Sequence, residues 1–301
     1  MTITLEWLGV ATFRLRIDDL VVFLDAYMDR VPKAPPVGLS AKDVDRADFV
    51  LVGHSHFDHL SGAEQIARST GARVIGSHET CRVLLKGGVA KEQLLRSQGG
   101  ERHRLAPGVT VRVLPGLHAC TWCAGSIPLG EERSGYVGLT EDERAATVGG
   151  LVEQIARAIA MGDDDALALR NHIATSVGSG ETGGPLAYLI ETPAGAIFYQ
   201  DTSGCWSGVL RDLRADVAIL AASGRPNIDG EPYEGSIAQF VAQEAAWLQS
   251  RTVVLCHHDN WMPPVTRGVD DLSPLRDELA RVAPGAELRE LGYLERVDVL
   301  S

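Results

Sequence analysis

Long apolar runs are absent from this sequence of 301 residues. The longest stretch without a charged side chain runs from Val113 to Gly130. It contains Pro115, Pro128 and several glycines, and therefore cannot form a membrane-spanning helix. The first residues have neither the basic segment nor the apolar core of a targeting signal. The cysteines number five, and an odd count excludes a complete disulfide framework. We therefore expect a cytoplasmic protein without a membrane partner.

Positive charge is also scarce. Lysine and arginine together number 28 against 40 acidic residues, which gives a net charge of −12. Such a chain repels phosphate backbones unless it carries a local basic patch. The nearest approach to a patch is a thin scatter of basic residues: Arg96, Arg102, His103, Arg104 and Arg112. We therefore expect no nucleic-acid partner and favour a small-molecule substrate, and homo-oligomerisation stays open.

Short apolar or alternating segments are present in both halves of the chain. In the first half they predict strands over 2–8, 13–17, 21–25, 48–52, 74–77 and 109–114, and helices over 61–70 and 78–86. In the second half they predict strands over 186–191, 196–199, 217–220 and 253–256, and helices over 237–249 and 275–282. The hydrophobic content of 45% is enough for a large core. Strands mixed with helices in one or two α/β domains are therefore expected.

A cluster of potential metal ligands follows the predicted strand at 48–52. Residues 53–59 have the sequence Gly-His-Ser-His-Phe-Asp-His, which places four such side chains close together: His54, His56, Asp58 and His59. Imidazole and carboxylate groups are the ligands that borderline divalent metals prefer. His54 and His56 would point the same way in an extended turn, because side chains alternate there. Asp58 and His59 lie where the next helix begins, so that they would face a second ion.

The motif resembles the signature of the metallo-β-lactamase fold superfamily, a large set of metal-dependent hydrolases. The resemblance implies further ligands at the ends of later strands, and His118, Asp201 and His257 stand at such positions. The resemblance therefore spans the chain from the N-terminal strands to His257. The fold that it implies is α/β (α+β): a four-layer αββα sandwich in which two mixed sheets face each other between outer helices, with a partly helical insertion.

The resemblance also implies which ion each residue binds. A first ion would be bound by His54, His56 and His118. A second ion would be bound by Asp58, His59 and His257. Asp201 would bridge the two ions. His258 competes with His257, which is preferred because it comes first after its strand. We expect two divalent ions, with zinc favoured, and manganese or iron would suit the same ligand types.

Two such ions would lower the pKa of a bound water toward about 7, which makes hydroxide available at neutral pH. That hydroxide would attack a carbonyl or phosphoryl centre while the metals stabilise the developing oxyanion. Asp58 is the candidate catalytic residue, because its carboxylate or the bridging water would move the proton. Asp25, at the end of the third predicted strand, is a candidate to orient a ligand imidazole, and a plain turn role suits its position equally well.

Several tryptophans and cysteines lie close to the predicted ligands. Trp122, Trp206 and Trp261 would form an apolar wall for an organic substrate, or they pack under loops. Arg225 would supply a cation to a phosphate oxygen, or it is a solvated loop residue. Four of the five cysteines lie nearby: Cys120, Cys123, Cys205 and Cys256. Small buried thiols are favoured over a metal ligand or a redox pair.

Residues 119–185 are expected to form an insertion within one domain that spans residues 1–301. Thr140 and Glu143 form a capping box, which predicts a helix over about 141–161. Apolar residues recur along that helix at helical spacing: Val148, Leu151, Val152, Ile155 and Ile159. Long segments outside a core often cover a site, so we expect a lid or a dimer element here.

The resulting hypothesis is a metal-dependent hydrolase, in which a hydroxide on a dinuclear metal centre attacks an ester or lactone of a small organic substrate. Within the superfamily, the short N-terminal strands and the His-Ser-His-Phe-Asp-His and Pro-Gly-Leu-His segments resemble one particular branch. It contains ascorbate-6-phosphate lactonase and the phospholipase-D-type phosphodiesterases. A phosphodiesterase acting on a small phosphodiester is therefore the first alternative. An iron-dependent oxygenase on the same fold is the second, and the complete ligand set argues against a non-enzymatic binding protein.

Overall fold

The computed structural model describes residues 1–123, 127–135, 138–263 and 265–300, without the side chains of residues 149–152, 154 and 155. The elements of the first half are β1 (Ile3–Trp7), β2 (Phe13–Ile17), β3 (Leu20–Leu24), β4 (Phe49–Leu51), α1 (Phe57–Leu60), α2 (Ala63–Thr70), β5 (Arg73–Gly76), α3 (His78–Lys86), β6 (Leu94–Arg96), β7 (Arg102–Ala106), β8 (Val109–Pro115), α4 (Glu141–Ala160) and α5 (Asp164–Thr175). Those of the second half are β9 (Leu186–Thr192), β10 (Gly195–Gln200), β11 (Gly204–Cys205), α6 (Ser207–Leu210), β12 (Val217–Ala221), β13 (Asn227–Ile228), β14 (Glu231–Pro232), α7 (Ile237–Leu248), β15 (Thr252–Cys256), α8 (Ser273–Val282), β16 (Glu287–Leu288) and β17 (Arg296–Leu300).

Two seven-stranded mixed sheets form the centre of the fold. The first has the strand order β17-β1-β2-β3-β4-β5-β6, and the second has the order β16-β15-β12-β10-β9-β8-β7. Strands β3, β4, β5 and β6 run parallel in the first sheet, as do β10, β12, β15 and β16 in the second. The carboxyl ends of parallel neighbours lie at one edge of a sheet, where the connections to helices provide loops for a site.

Side-chain alternation along the strands produces the layers. In β3, Val22 and Leu24 face the core between the two sheets, whereas Val21 and Phe23 face α2 and α3. The second sheet packs its outer face against α7 and α8 in the same manner. Each fully buried side chain of this size contributes about 1.5–3 kcal/mol through removal from water. The layer order is therefore αββα, which confirms the predicted fold class.

The structure contains elements that were not predicted, and two of the differences have a clear physical cause. The helix predicted over 61–70 begins only at Ala63, as α2, because Gly62 has a φ of 102° and separates it from a short helix, α1, that precedes the predicted range. Three of the thinly scattered basic residues, Arg102, His103 and Arg104, lie in a strand that was not predicted, β7. This strand forms one edge of the second sheet. Arg102 and Arg104 alternate on its exposed face. Charged side chains on an edge strand hinder pairing with another chain, which gives these residues a structural role.

Two helices, α4 and α5, lie between β8 and β9 in the chain. Helix α4 begins at Thr140, whose hydroxyl accepts from the Glu143 amide while the Glu143 carboxylate accepts from the Thr140 amide. The predicted capping box is therefore confirmed. In α5, His172 lies 2.9 Å from the Tyr27 hydroxyl, which links this segment to the first sheet. Among the described residues, no helix is both long enough and apolar enough to cross a bilayer.

Candidate metal centre

The seven predicted ligands converge at the edge where strands of both sheets end. His54 and His56 follow β4, and Asp58 and His59 lie in α1. The other three, which come from distant parts of the chain, follow β8, β10 and β15, respectively: His118, Asp201 and His257. Convergence of this kind requires the complete sandwich, because the residues come from both sheets.

The ligand atoms form three overlapping groups, in each of which they all lie within 4.8 Å of one another. The groups are His54, His56 and His118; His54, His59 and Asp201; and Asp58, His59 and His257. The first and third match the two triads expected for separate ions, and Asp201 lies in the group between them. Assignment of an ion to each triad stays a prediction.

Hydrogen-bond geometry tests whether these residues suit metal ions. The His54 Nε2 and His56 Nδ1 atoms face each other at 3.1 Å, and the His257 and His59 Nε2 atoms do so at 3.3 Å. Ring nitrogens this close need a proton or a cation between them, because two lone pairs repel. Among the described residues, the buried Asp201 Oδ1 atom also has no hydrogen-bond partner. A divalent ion would satisfy these groups, so the donor set fits.

Burial sets the protonation state of the histidines. Burial first, and then the neighbouring imidazoles, lower the pKa of His54 and of His56 to about 3. The pKa of His118 falls to about 4, first through burial and then through the nearby His56. All three imidazoles are therefore neutral at pH 7, and neutral imidazole is the form that binds a metal ion.

The carboxylates behave in the opposite way. Burial alone would raise the pKa of Asp201, but His54 and His59 hold it below its usual range. Burial would likewise raise the pKa of Asp58, and His59 and His257 hold it well below the ordinary value. Both side chains are therefore ionised at neutral pH, which is the state that coordinates divalent cations.

Asp25 supports the loop that carries four of the candidate ligands. Its Oδ2 atom lies 2.6 Å from His59 Nδ1, and its Oδ1 atom accepts from the Gly53 amide at 2.8 Å. Gly53 itself has no room for a β-carbon, because the Asp201 carboxylate occupies that space. Contact with a ring nitrogen fixes the orientation of the other, so Asp25 directs His59 Nε2 toward Asp58 and His257.

The loop after β15 has a different support, which the sequence did not indicate. His257 has a φ of 61°, and its amide donates to the Val10 carbonyl at 2.7 Å. Two residues later, the buried Asp259 carboxylate pairs with Arg30 and accepts from the Tyr293 hydroxyl at 2.6 Å. No local pattern in the sequence links positions 30, 259 and 293, so only the folded structure reveals this cluster.

His257 and His258 point to different places. His257 Nε2 lies 3.3 Å from Asp58 Oδ2, within the group of ligand atoms. The His258 ring stacks on Trp7, with the two ring centroids 4.7 Å apart. His257 is therefore the histidine that the geometry brings to the site.

A cavity of about 600 Å³ opens onto the candidate ligands. His56, Asp58, His118 and His257 line its inner end, and most of the remaining wall is apolar. This volume falls within the range of about 300–1,000 Å³ that is typical of small-molecule sites. The groups with metal-binding chemistry thus lie where a small organic molecule would reach them.

The residues expected to bind substrate are only partly brought together. Trp261 lines the cavity, but Trp122 and Trp206 are absent from its described lining. The Trp122 ring instead carries the Arg144 guanidinium at 4.3 Å, and Trp206 is 39% exposed. Arg225 lines the cavity but is neither solvated nor free, because its terminal nitrogens donate to backbone carbonyls. The expectation that both tryptophans form the wall is therefore corrected.

All five cysteines are free thiols. Cys120 and Cys123 line the cavity, whereas Cys205 and Cys256 are buried in the core. Burial raises the pKa of Cys120 to about 12, so this side chain stays a neutral thiol at pH 7. Neutral thiols make poor metal ligands and nucleophiles, in agreement with the expectation of small buried thiols.

Comparison with known proteins agrees with this geometry. A family model described as a beta-lactamase superfamily domain matches residues 21–162, which include the candidate ligands from His54 to His118. A relative from Solibacter usitatus, named a UPF0173 metal-dependent hydrolase, is 32% identical over 142 residues, which are 46% of this chain and 59% of the relative. A Pyrobaculum islandicum protein of the same name is 31% identical over 38% of this chain and 50% of its own length. The chain thus spans about half of the length of these curated relatives.

Solved structures extend the similarity over the whole chain. A metallo hydrolase from Ignicoccus hospitalis, Igni18, has a TM-score of 0.62 at 17% identity and covers 99% of this chain and 98% of its own. The metallo-beta-lactamase fold protein YhfI from Bacillus subtilis has a TM-score of 0.56 at 10% identity, with 98% of both chains covered. CmlA, a diiron beta-hydroxylase from Streptomyces venezuelae, has a TM-score of 0.58 at 14% identity and covers 99% of this chain and 54% of its own. The chain has the metallo-β-lactamase fold, and the resemblance to that superfamily is confirmed.

Proposed function

We propose that the protein is a metal-dependent hydrolase that cleaves an ester or lactone of a small organic substrate at a dinuclear metal centre. The observation that carries the proposal is the position of Asp201. Its buried carboxylate lies between the two histidine-rich groups, and its Oδ1 atom has no hydrogen-bond partner among the described residues. A carboxylate in this position suits a bridge between two cations.

The ligand triads would hold one ion each, as the sequence predicts. Two bound divalent ions would supply a hydroxide nucleophile at neutral pH and a Lewis acid for the carbonyl oxygen. Asp58 is ionised and lines the cavity, so its carboxylate is placed to accept a proton and pass it to the leaving alcohol. A substrate bound against the apolar wall would displace water from the reacting groups, which would strengthen the electrostatic interactions there.

Two alternatives differ in the chemistry that they require. A phosphodiesterase needs cations for the non-reacting phosphate oxygens, and the one candidate from the sequence, Arg225, already donates to three backbone carbonyls. An iron-dependent oxygenase is the stronger alternative, because the solved diiron hydroxylase CmlA shares the fold and the His and Asp ligand types also bind iron.

Metal-free protein reconstituted with zinc, manganese or ferrous iron separates these functions. We expect hydrolysis of p-nitrophenyl acetate or of γ-butyrolactone that a chelator abolishes and added metal restores. Cleavage of bis-p-nitrophenyl phosphate without ester hydrolysis would favour the phosphodiesterase. Oxygen consumption by the iron form, without hydrolysis of any substrate in the panel, would replace the hydrolase proposal with the oxygenase.

A further inference from the structure

The walls of the cavity differ in chemistry from its inner end. Beyond the candidate ligands, the lining includes large apolar side chains from α1 and from the loop after β15: Phe57, Trp261, Met262 and Val265. It also includes Val148 from α4 and Ile173 from α5. Both residues lie within the segment 119–185, which therefore supplies part of the substrate wall in this structure.

Trp261 is the most firmly held part of that wall. Its ring meets the His257 ring edge-on, with the two ring centroids 5.0 Å apart. The centroids of the Phe57 and Tyr27 rings lie 6.2 Å and 6.4 Å from the centroid of the Trp261 ring. The side chain is only 7% exposed, so its position is fixed by packing. A group that reaches the candidate metal centre along this wall must lie against the indole.

The wall has little charge to offer. Apart from the candidate ligands, the described lining residues contain a single ionisable cation, Arg225. Its terminal nitrogens donate to the carbonyl oxygens of Gly235 at 3.1 Å, Ser134 at 2.6 Å and Tyr233 at 2.5 Å. These bonds occupy the part of the guanidinium that recognises a carboxylate or phosphate in bidentate fashion. The lining also offers uncharged hydroxyl donors, such as Ser176, Ser223 and Thr266, but an anionic group on the wall would lose its hydration without gaining a cationic partner.

We propose that the cavity selects uncharged substrates whose apolar group packs against Trp261 and Val265, and that it discriminates against substrates with an anionic group at that position. The selection rests on the proposed hydrolase function and specifies its substrate class: neutral esters or lactones with an aliphatic or aromatic acyl part. The free energy gained on binding grows with the apolar area that the substrate buries. Each added methylene should therefore raise kcat/KM by at most about fourfold.

The test compares p-nitrophenyl acetate, butyrate and hexanoate with p-nitrophenyl hemisuccinate, whose acyl chain has the length of butyrate and a terminal carboxylate. We expect kcat/KM to rise along the neutral series, and the hemisuccinate to react at least tenfold more slowly than the butyrate. Equal rates for the hemisuccinate and the butyrate, or a flat neutral series, would overturn the proposal.

Two variants test the assignment to this wall. Trp261→Ala should flatten the dependence on chain length, whereas Trp247→Ala, at a tryptophan in α7 that packs under Arg211, should leave it unchanged. Val265→Lys places a cation on the wall and should raise the hemisuccinate-to-butyrate ratio at least tenfold. Because each readout is a ratio between substrates, a general loss of activity does not obscure it. An unchanged ratio in Val265→Lys would contradict the proposal.

Failure of the hydrolase function gives a different result. If no ester or lactone reacts, calorimetry on zinc-loaded protein still measures the preference for a neutral group. The ligands are butyrohydroxamic acid and the monohydroxamic acid of succinate, which present the same hydroxamate to the metal and differ in the terminal carboxylate. Tighter binding of butyrohydroxamic acid would then support the selection alone, and equal or weaker binding would overturn it as well.

Discussion

The two loops that approach each other at the candidate metal centre are held in different ways. The first, residues 53–59, runs from the end of β4 into α1, and backbone bonds fix it: the Ser55 amide donates to the Thr182 carbonyl, and the His59 carbonyl accepts from the Ala26 amide. The second, residues 257–261, combines a backbone bond from the His257 amide to the Val10 carbonyl with a buried ion pair between Asp259 and Arg30. The first loop thus carries adjacent ligands on a backbone-bonded turn, whereas the second carries one ligand, His257, on a long-range side-chain cluster.

The largest effect is expected at the first loop, from Asp58→Asn. The substitution keeps the shape of the side chain and removes its negative charge. We expect kcat/KM for a neutral ester to fall by about 10²–10⁴-fold, because the proton acceptor is lost. Metal content and steady-state kinetics are measured together. Activity within threefold of the wild type would remove Asp58 from the mechanism.

A smaller effect is expected behind that loop, from Asp25→Asn, which weakens the contact with His59 Nδ1. Loss of such an orienting carboxylate reduces metal affinity or activity by about 10–100-fold. Competition with a chromophoric chelator measures the affinity. Asp48→Asn is a matched control, since Asp48 accepts from the Val21 amide at 2.8 Å outside the site. Equal affinities in the two variants would show that Asp25 is a turn residue without influence on metal binding.

The second loop is tested by Asp259→Asn, which breaks the buried pair with Arg30. We expect the affinity for the more weakly bound metal equivalent to fall about tenfold, the lower end for an indirect support. Glu6→Gln is the control, because Glu6 forms ion pairs with Arg14 and Arg296 and its side chain is 6% exposed. Both variants should lower the melting temperature, but only Asp259→Asn should weaken metal binding. Similar affinities in the two would reduce Asp259 to a purely stabilising role.

The smallest effect on the candidate metal site is expected at Glu244, which contacts Gln200, the residue before Asp201. We expect a change at Glu244 to alter the stability of the fold and not the metal affinity. The buried Glu244 carboxyl accepts from Gln200 Nε2 at 2.9 Å, and burial raises its pKa to about 8. The folded protein then keeps a proton that the unfolded chain releases near pH 4.5, so stability falls as the pH rises from about 4.5 to 8, by at most about 1.4 kcal/mol per pH unit. Urea unfolding should show a weaker decline for Glu244→Gln over this range. Parallel curves for the two proteins would contradict the assignment, and metal affinity should not change.

The first loop could be predicted from the sequence because its information is local. The adjacent His54, His56, Asp58 and His59 follow a short buried strand, and this pattern alone indicates a metal site. The distant ligands could be proposed only through the resemblance, since nothing near His118 or Asp201 distinguishes it from a structural residue. The strand alternation that separates the layers is also local, as in β3, and for that reason the fold was predictable.

The second loop and the cavity wall depend on contacts across the whole chain. The partners Arg30, Asp259 and Tyr293 meet only after both sheets have formed. Trp261 lines the cavity while Trp122 and Trp206 do not, although all three follow a predicted ligand closely. The roles of the segment 119–185 as a lid or a dimer element, of zinc as the metal and of the cytoplasm as the location stay predictions.

Metal content combined with activity tests the central claim most directly. Chelator-treated protein is titrated with zinc, and bound metal and ester hydrolysis are measured at each step for the wild type and for His257→Ala. The account predicts about two bound equivalents for the wild type, with activity that follows occupancy, and about one equivalent with little activity for His257→Ala. Hydrolysis by metal-free protein, or a wild type that binds less than one equivalent, would contradict it.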